Sequence, residues 1–90
     1  MRLYVAGESP HSQNALYSLQ NICNQYLQED QYQLEIVDVL EYPLRALDDN
    51  ILVTPTLLKL APLPASQMIG DLSNRTRVLL ALGIKDHTHE

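Results

Sequence analysis

Ile51-Leu52-Val53-Thr54-Pro55-Thr56-Leu57-Leu58-Lys59-Leu60 is the stretch on which the fold turns. Two apolar runs flank a Thr-Pro step. Pro55 has no N–H to give to a sheet ladder, and it steers Thr54 away from helical geometry. Two assignments fit. In one, Thr54-Pro55 is a loop and residues 56–60 form a strand. In the other, residues 51–54 are the strand and residues 57–60 enter a helix. Periodicity does not choose between them, because both apolar runs are short.

Upstream of this stretch the elements read more plainly. Leu3-Tyr4-Val5-Ala6 is a short apolar run stopped by Gly7, which predicts a buried strand. Ser9 is a helix N-cap candidate with Pro10 at the first helical position, and Ser12 is a second capping candidate. Ala15, Leu16, Leu19, Ile22, Cys23, Tyr26 and Leu27 then recur at helical spacing, which predicts an amphipathic helix of about five turns. Leu34, Ile36, Val37 and Val39 mark a second strand. Strand, long helix, strand is a βαβ unit, so the two strands should pair in parallel. Pro43 suits the first turn of a short helix over Leu44-Arg45-Ala46-Leu47, closed by Asp48-Asp49-Asn50.

Downstream, Ala61-Pro62-Leu63-Pro64 is excluded from a central strand by its two prolines. Gln67-Met68-Ile69 reads as a short edge strand ended by Gly70. Asp71-Leu72-Ser73-Asn74 offers caps for a last helix whose apolar residues are Val78, Leu79, Leu80 and Leu82, with Gly83 as its stop. Residues 1–84 are read as one domain and residues 85–90 as a polar tail.

Composition narrows the function classes. The chain has 90 residues, net charge −5, 46% hydrophobic residues, one Cys, five Tyr and neither Phe nor Trp. A domain of this size buries only roughly 60–65% of its unfolded surface, so it is marginal alone and gains from self-association or a partner. One Cys excludes an internal disulfide, a CxxC redox site and a Cys-rich zinc site. The acidic balance argues against nucleic acid and against an anionic membrane as partners. No apolar run reaches the ~20 residues of a membrane span. No signal-peptide pattern opens the chain, so a cytoplasmic location is expected.

Candidate chemistry is sparse. No hydrolase, kinase, P-loop or cofactor-binding pattern is present. His11 has no nucleophile beside it, and His87 and His89 lie in the polar tail, where solvation accounts for them. Cys23, on the apolar helix face, reads as core. Asp38 is read as reaching the solvent end of its strand, the alternative being a cap or pair near the sheet edge. Asp48 and Asp49 are read as solvated turn residues.

The first of the two assignments gives a βαβ unit, a short helix, a Thr-Pro break, two strands and a last helix. That is the thioredoxin-like order, in which such a proline is usually cis and faces the start of the first helix. The loop that would hold the redox cysteines reads Gly7-Glu8-Ser9-Pro10-His11-Ser12, and without a thiolate no thiol–disulfide exchange can run.

Several blocks together resemble the KaiB family. They are Leu3-Tyr4-Val5-Ala6-Gly7 with Pro10, Ser12 and Ala15-Leu16; Ile36-Val37-Asp38-Val39-Leu40 with Pro43; Ile51 to Leu57 with Lys59; and Ile69-Gly70-Asp71-Leu72-Ser73-Asn74-Arg75 followed by Val78-Leu79. The resemblance implies a non-enzymatic regulatory protein, with no cofactor or metal, that binds a KaiC-like ATPase in a clock or a clock-derived stress or signalling system. It also implies an α/β fold that exchanges between a self-associated βαββααβ form, a dimer or tetramer, and a monomeric, thioredoxin-like, partner-binding βαβαββα form. The two assignments of residues 51–82 correspond to those two forms. Lys59 and Arg75, with Tyr4 and Asp38, are the expected partner contacts. Thr54, Pro55, Pro62, Pro64, Gly70, Ala81 and Gly83 are the expected fold-switch positions. The alternative is a thioredoxin-like binding module of another signalling system, such as a histidine-kinase sensor-type KaiB-like domain. The chain departs from the family pattern in having Ser66-Gln67 where a basic pair is common. It also has Ala81-Leu82-Gly83 where Gly-Leu-Asp is common, and Ala favours helix over Gly by about 1 kcal/mol.

Overall fold

Alternation in Arg2-Leu3-Tyr4-Val5 sends Leu3 and Val5 to one side of a strand and Tyr4 to the other, and each side meets its own core. The structure is a computed structural model and describes residues 1–27, 32–61, 65–70, 72 and 74–83. Its elements are β1 (Arg2–Val5), α1 (Pro10–Tyr26), β2 (Glu35–Asp38), α2 (Pro43–Asp48), β3 (Thr56–Lys59), β4 (Ser66–Ile69) and α3 (Arg75–Leu82). This is the βαβαββα, thioredoxin-like order. Pro62, Pro64, Asp71, Ser73 and the tail with His87 and His89 lie outside the described residues.

The stretch at 51–60 therefore takes the first of its two assignments. The Thr54–Pro55 peptide is cis, and β3 begins directly after it. Leu52, expected in a buried run under the second assignment, is 92% exposed. Gly70, at φ 91°, ends β4 and donates its N–H to the Pro55 carbonyl at 3.0 Å, which ties the two loop ends together.

The sheet order is β2-β1-β3-β4. β1 pairs in parallel with β2, as a βαβ unit requires, and antiparallel with β3, while β3 pairs antiparallel with β4. Leu3 stands in register with Ile36 and Leu57, and Tyr4 with Val37 and Thr56. The larger core joins Leu3, Leu57 and Met68 of the sheet to Leu19 and Ile22 of α1 and to Val78 and Leu79 of α3. The smaller core, on the opposite face, is Tyr4, Val37 and Ala46, flanked by Val39, Ile51 and Leu58. Only α2 contributes a helical residue to it among the described residues.

The caps follow the sequence signals. Ser9 caps α1, its Oγ accepting from the Ser12 N–H at 3.3 Å, and Pro10 opens the helix. The buried Ser12 turns its own hydroxyl back to accept from the Ala6 N–H at 3.0 Å, fastening the loop to the end of β1. Asn74 caps α3 through an N–H bond from Arg77 at 3.2 Å, and Gly83 ends it in the left-handed region at φ 74°.

Candidate functional site

Three places could carry function in this frame: the loop before α1, the charged side of the sheet, and the outer surface of α2. The loop holds no nucleophile. Its neighbours across the groove are Thr54, Pro55 and Leu72, facing His11, Asn14 and Tyr17, so the proline does face the start of α1. Cys23 is buried, and burial pushes its thiol pKa up, which keeps it protonated and unreactive. Among the described residues no group of three or more His, Cys, Asp or Glu side chains could hold a metal ion. None of the described helices is long and apolar enough to cross a membrane.

The charged side of the sheet is the most organised polar feature. Arg2 opens β1 and Glu35 opens β2, so parallel pairing places them side by side, where Arg2 Nε meets Glu35 Oε1 at 2.7 Å. Arg45 of α2 reaches the same carboxylate oxygen at 2.8 Å. Arg2 also reaches Asp49 Oδ2 at 2.8 Å, just past the end of α2. The Tyr4 hydroxyl donates to that Asp49 oxygen and lies 3.1 Å from the Arg45 carbonyl. One connected network thus joins β1, β2 and the middle and C-terminal end of α2.

The ionisations follow. Arg45, then Arg2, hold the Glu35 carboxyl down at about 2. The Tyr4 hydroxyl, then Arg2, hold Asp49 below the usual carboxylate range. Burial first, and Asp49 second, raise the Tyr4 phenol, which stays a donor. Because Glu35 and Asp49 have folded-state values below their unfolded ones, their contribution to stability is full above pH about 4.5 and is lost as pH falls toward 2. We expect the urea midpoint to be nearly flat from pH 7 to 5 and to fall below that. Glu35→Gln should make the fall shallower, and an unchanged slope in that variant would contradict the assignment.

These contacts correct one expectation and decide another. Asp49 is not a solvated turn residue, because the docked α2 presents it to Tyr4 and Arg2. Asp38 takes the second of its two readings, a cap near the sheet edge: its Oδ1 accepts from the Gly7 N–H at 3.0 Å and the Leu40 N–H at 2.9 Å, just past the ends of β1 and β2. Of the five network residues, Arg2, Glu35 and Arg45 were not singled out from the sequence as site candidates. The signal available was Arg2 and Glu35 at the starts of two strands that must pair in parallel.

The remaining candidates are scattered. Tyr4 is fully buried and offers a partner no surface in this fold. Lys59 ends β3, opposite Ser66, whose hydroxyl lies against Ala81 late in α3. Arg75 opens α3 and sits over the Tyr26 ring at 5.7 Å. Lys59 thus lies on the sheet beside the end of α3, and Arg75 lies against the last turns of α1.

The outer surface of α2 is apolar where a solvated helix would be polar. Leu44 and Leu47, three residues apart and so on one helical face, are 72% and 69% exposed. Leu40 and Tyr42 just before the helix are also exposed. Only Ala46 of α2 is buried. Grouped exposed apolar residues of this kind mark interaction surfaces.

Comparison with known proteins settles the family. The KaiB domain model matches residues 2–84. The chain belongs to the KaiB family. Over 84 residues, 93% of the chain, it is 50% identical to the circadian clock protein KaiB3 of Synechocystis sp., of which the match covers 81%. It is 49% identical to the circadian clock oscillator protein KaiB of Nostoc punctiforme, covering 80% of that protein, and 48% identical to that of Synechococcus elongatus, covering 81%. As a KaiB protein, the chain has the thioredoxin-like α/β frame that its sequence blocks implied, with Ser9 capping α1 and Ser12 accepting the Ala6 N–H in the loop before it.

Proposed function

We propose that this chain is a non-enzymatic regulatory protein that binds a KaiC-like ATPase as a monomer in the βαβαββα order, within a circadian clock or a system derived from one. The observation that carries the reading is a thioredoxin-like frame without a thiolate that exposes Leu40, Tyr42, Leu44 and Leu47 together. Such a surface suits partner binding rather than turnover. The names of its close relatives point the same way. Lys59 and Arg75 are exposed or half-exposed cations, neither in an ion pair among the described residues, and in this reading they steer approach to an acidic partner surface. The protein acts in the cytoplasm.

We further propose that the βαβαββα form exchanges with a self-associated βαββααβ form through residues 51–82, with Thr54, Pro55, Gly70, Ala81 and Gly83 among the positions that change. The partner draws the population toward the form it binds. Ala81 lies within α3 and packs against the larger core. Ala81→Gly is expected to cost this form about 1 kcal/mol, lowering its share roughly fivefold relative to the other. Two sets of amide signals in NMR spectra of the free protein would report the ratio, and a free protein holding only the βαββααβ form before substitution would contradict the role given to Ala81.

The deciding experiment mixes the chain with the KaiC-like ATPase of its own organism, in each nucleotide and phosphorylation state, and reads the mixture by size exclusion. Co-elution is expected. Failure in every state means another partner.

A further inference from the structure

We propose that Arg2, Glu35, Arg45, Asp49 and Tyr4 form a latch that holds α2 on the sheet separately from the main core, and so sets how often the Leu44–Leu47 face swings away. The inference starts from what α2 lacks. It has six residues, too few to be a stable helix by itself. Its Leu side chains point outward, and Ala46 is its only buried residue. Tyr42 at its N-cap makes no side-chain capping bond. Apolar burial and capping, which secure α1 and α3, are therefore nearly absent here.

The polar contacts replace them. Arg45 is bound to Glu35 of β2 from one turn of α2. Asp49, at the C-cap, is bound to Arg2 and Tyr4 of β1. The Arg45 carbonyl faces the Tyr4 hydroxyl and also accepts the Asp49 N–H at 3.2 Å. The helix is thus pinned at its middle and its end to two different strands. All four charged side chains are partly solvent-exposed, so the latch is weakened by salt to an extent that a buried core is not. The α1–α3 core shares none of these residues. Release of α2 can then be a local event with the rest of the sheet intact.

The latch rests on the partner-binding reading only for its consequence, since the face it holds is the one assigned to the partner. Amide hydrogen exchange on the full chain tests it directly. The Ile51 N–H, bonded to the Ala46 carbonyl at 2.8 Å, reports α2. The Val78 N–H, bonded to the Asn74 carbonyl at 3.1 Å, reports α3. On the unaltered chain Ile51 is expected to open at a lower free energy than Val78 and with a weaker urea dependence, and Glu35→Gln and Asp49→Asn are each expected to speed exchange at Ile51 roughly three- to tenfold. Raising salt from about 0.05 to 1 M should act in the same direction on the unaltered chain, which keeps the test valid if a variant folds poorly. An Ile51 amide that opens with the same free energy and urea dependence as Val78, or that neither substitution speeds, overturns the latch. A latch that passes while the unaltered chain binds no KaiC-like ATPase refutes the partner reading alone. Binding with unchanged Ile51 exchange refutes the latch alone.

Discussion

Leu44→Gln with Leu47→Gln is expected to weaken binding of a KaiC-like ATPase by roughly a hundredfold while moving the urea midpoint little. Both side chains are more than two-thirds exposed, so the folded chain does not depend on burying them. Exposed substitutions of this sort usually change stability within about 0.5 kcal/mol. Gln is a good helix former and adds no charge beside Glu35 and Asp49, so the network stays intact. In a complex, two apolar anchors worth about 1–2 kcal/mol each sum to the ~2.7 kcal/mol that a hundredfold represents. The measurement is a titration with the ATPase beside a urea curve. Unchanged affinity would remove α2 from the interface, and a large drop in midpoint would mean that the leucines support the fold after all.

How far the sequence went differs by element, and the reason is physical. β1, α1 and β2 were legible because each carries a local signal: Leu3-Tyr4-Val5 for β1, the Ser9-Pro10 start and the Ala15 to Tyr26 stripe for α1, and the apolar residues Leu34, Ile36, Val37 and Val39 for β2. The end of α3 was legible because only a residue tolerant of positive φ sits easily there, and Gly83 is that residue. The stretch at 51–60 stayed ambiguous because its short apolar runs suit either neighbour, and the choice is made by long-range pairing of Leu57 with Leu3 and Met68. The orientation of α2 was illegible for another reason. Six residues do not define an apolar stripe, so nothing local said that Leu44 and Leu47 would face out while Arg45 and Asp49 faced the sheet. Asp49 was misread with it: a carboxylate after a helix is solvated by default, and only the docking of that helix brings Tyr4 within reach.

Leu57→Ala is expected to destabilise this form by about 3 kcal/mol, within the 2–5 kcal/mol range of buried Leu truncations. Leu57 is 2% exposed at the centre of β3, between Leu3 on one side and Met68 on the other, with α1 and α3 packed over it. Neighbours held by two strand pairings collapse poorly into the space that truncation leaves, so most of the cavity cost persists. A domain of this size has a total stability of roughly 4–13 kcal/mol, and the loss takes a large part of it. Leu52→Ala, five residues earlier in the same apolar stretch but almost fully exposed, should change stability by less than about 0.5 kcal/mol. The pair separates the two assignments of residues 51–60 by experiment. With 51–54 as a buried strand, Leu52 would be the costly position. Urea unfolding of the two variants reads the difference, and equal losses would show that the strand beginning at Thr56 is not the dominant state in solution.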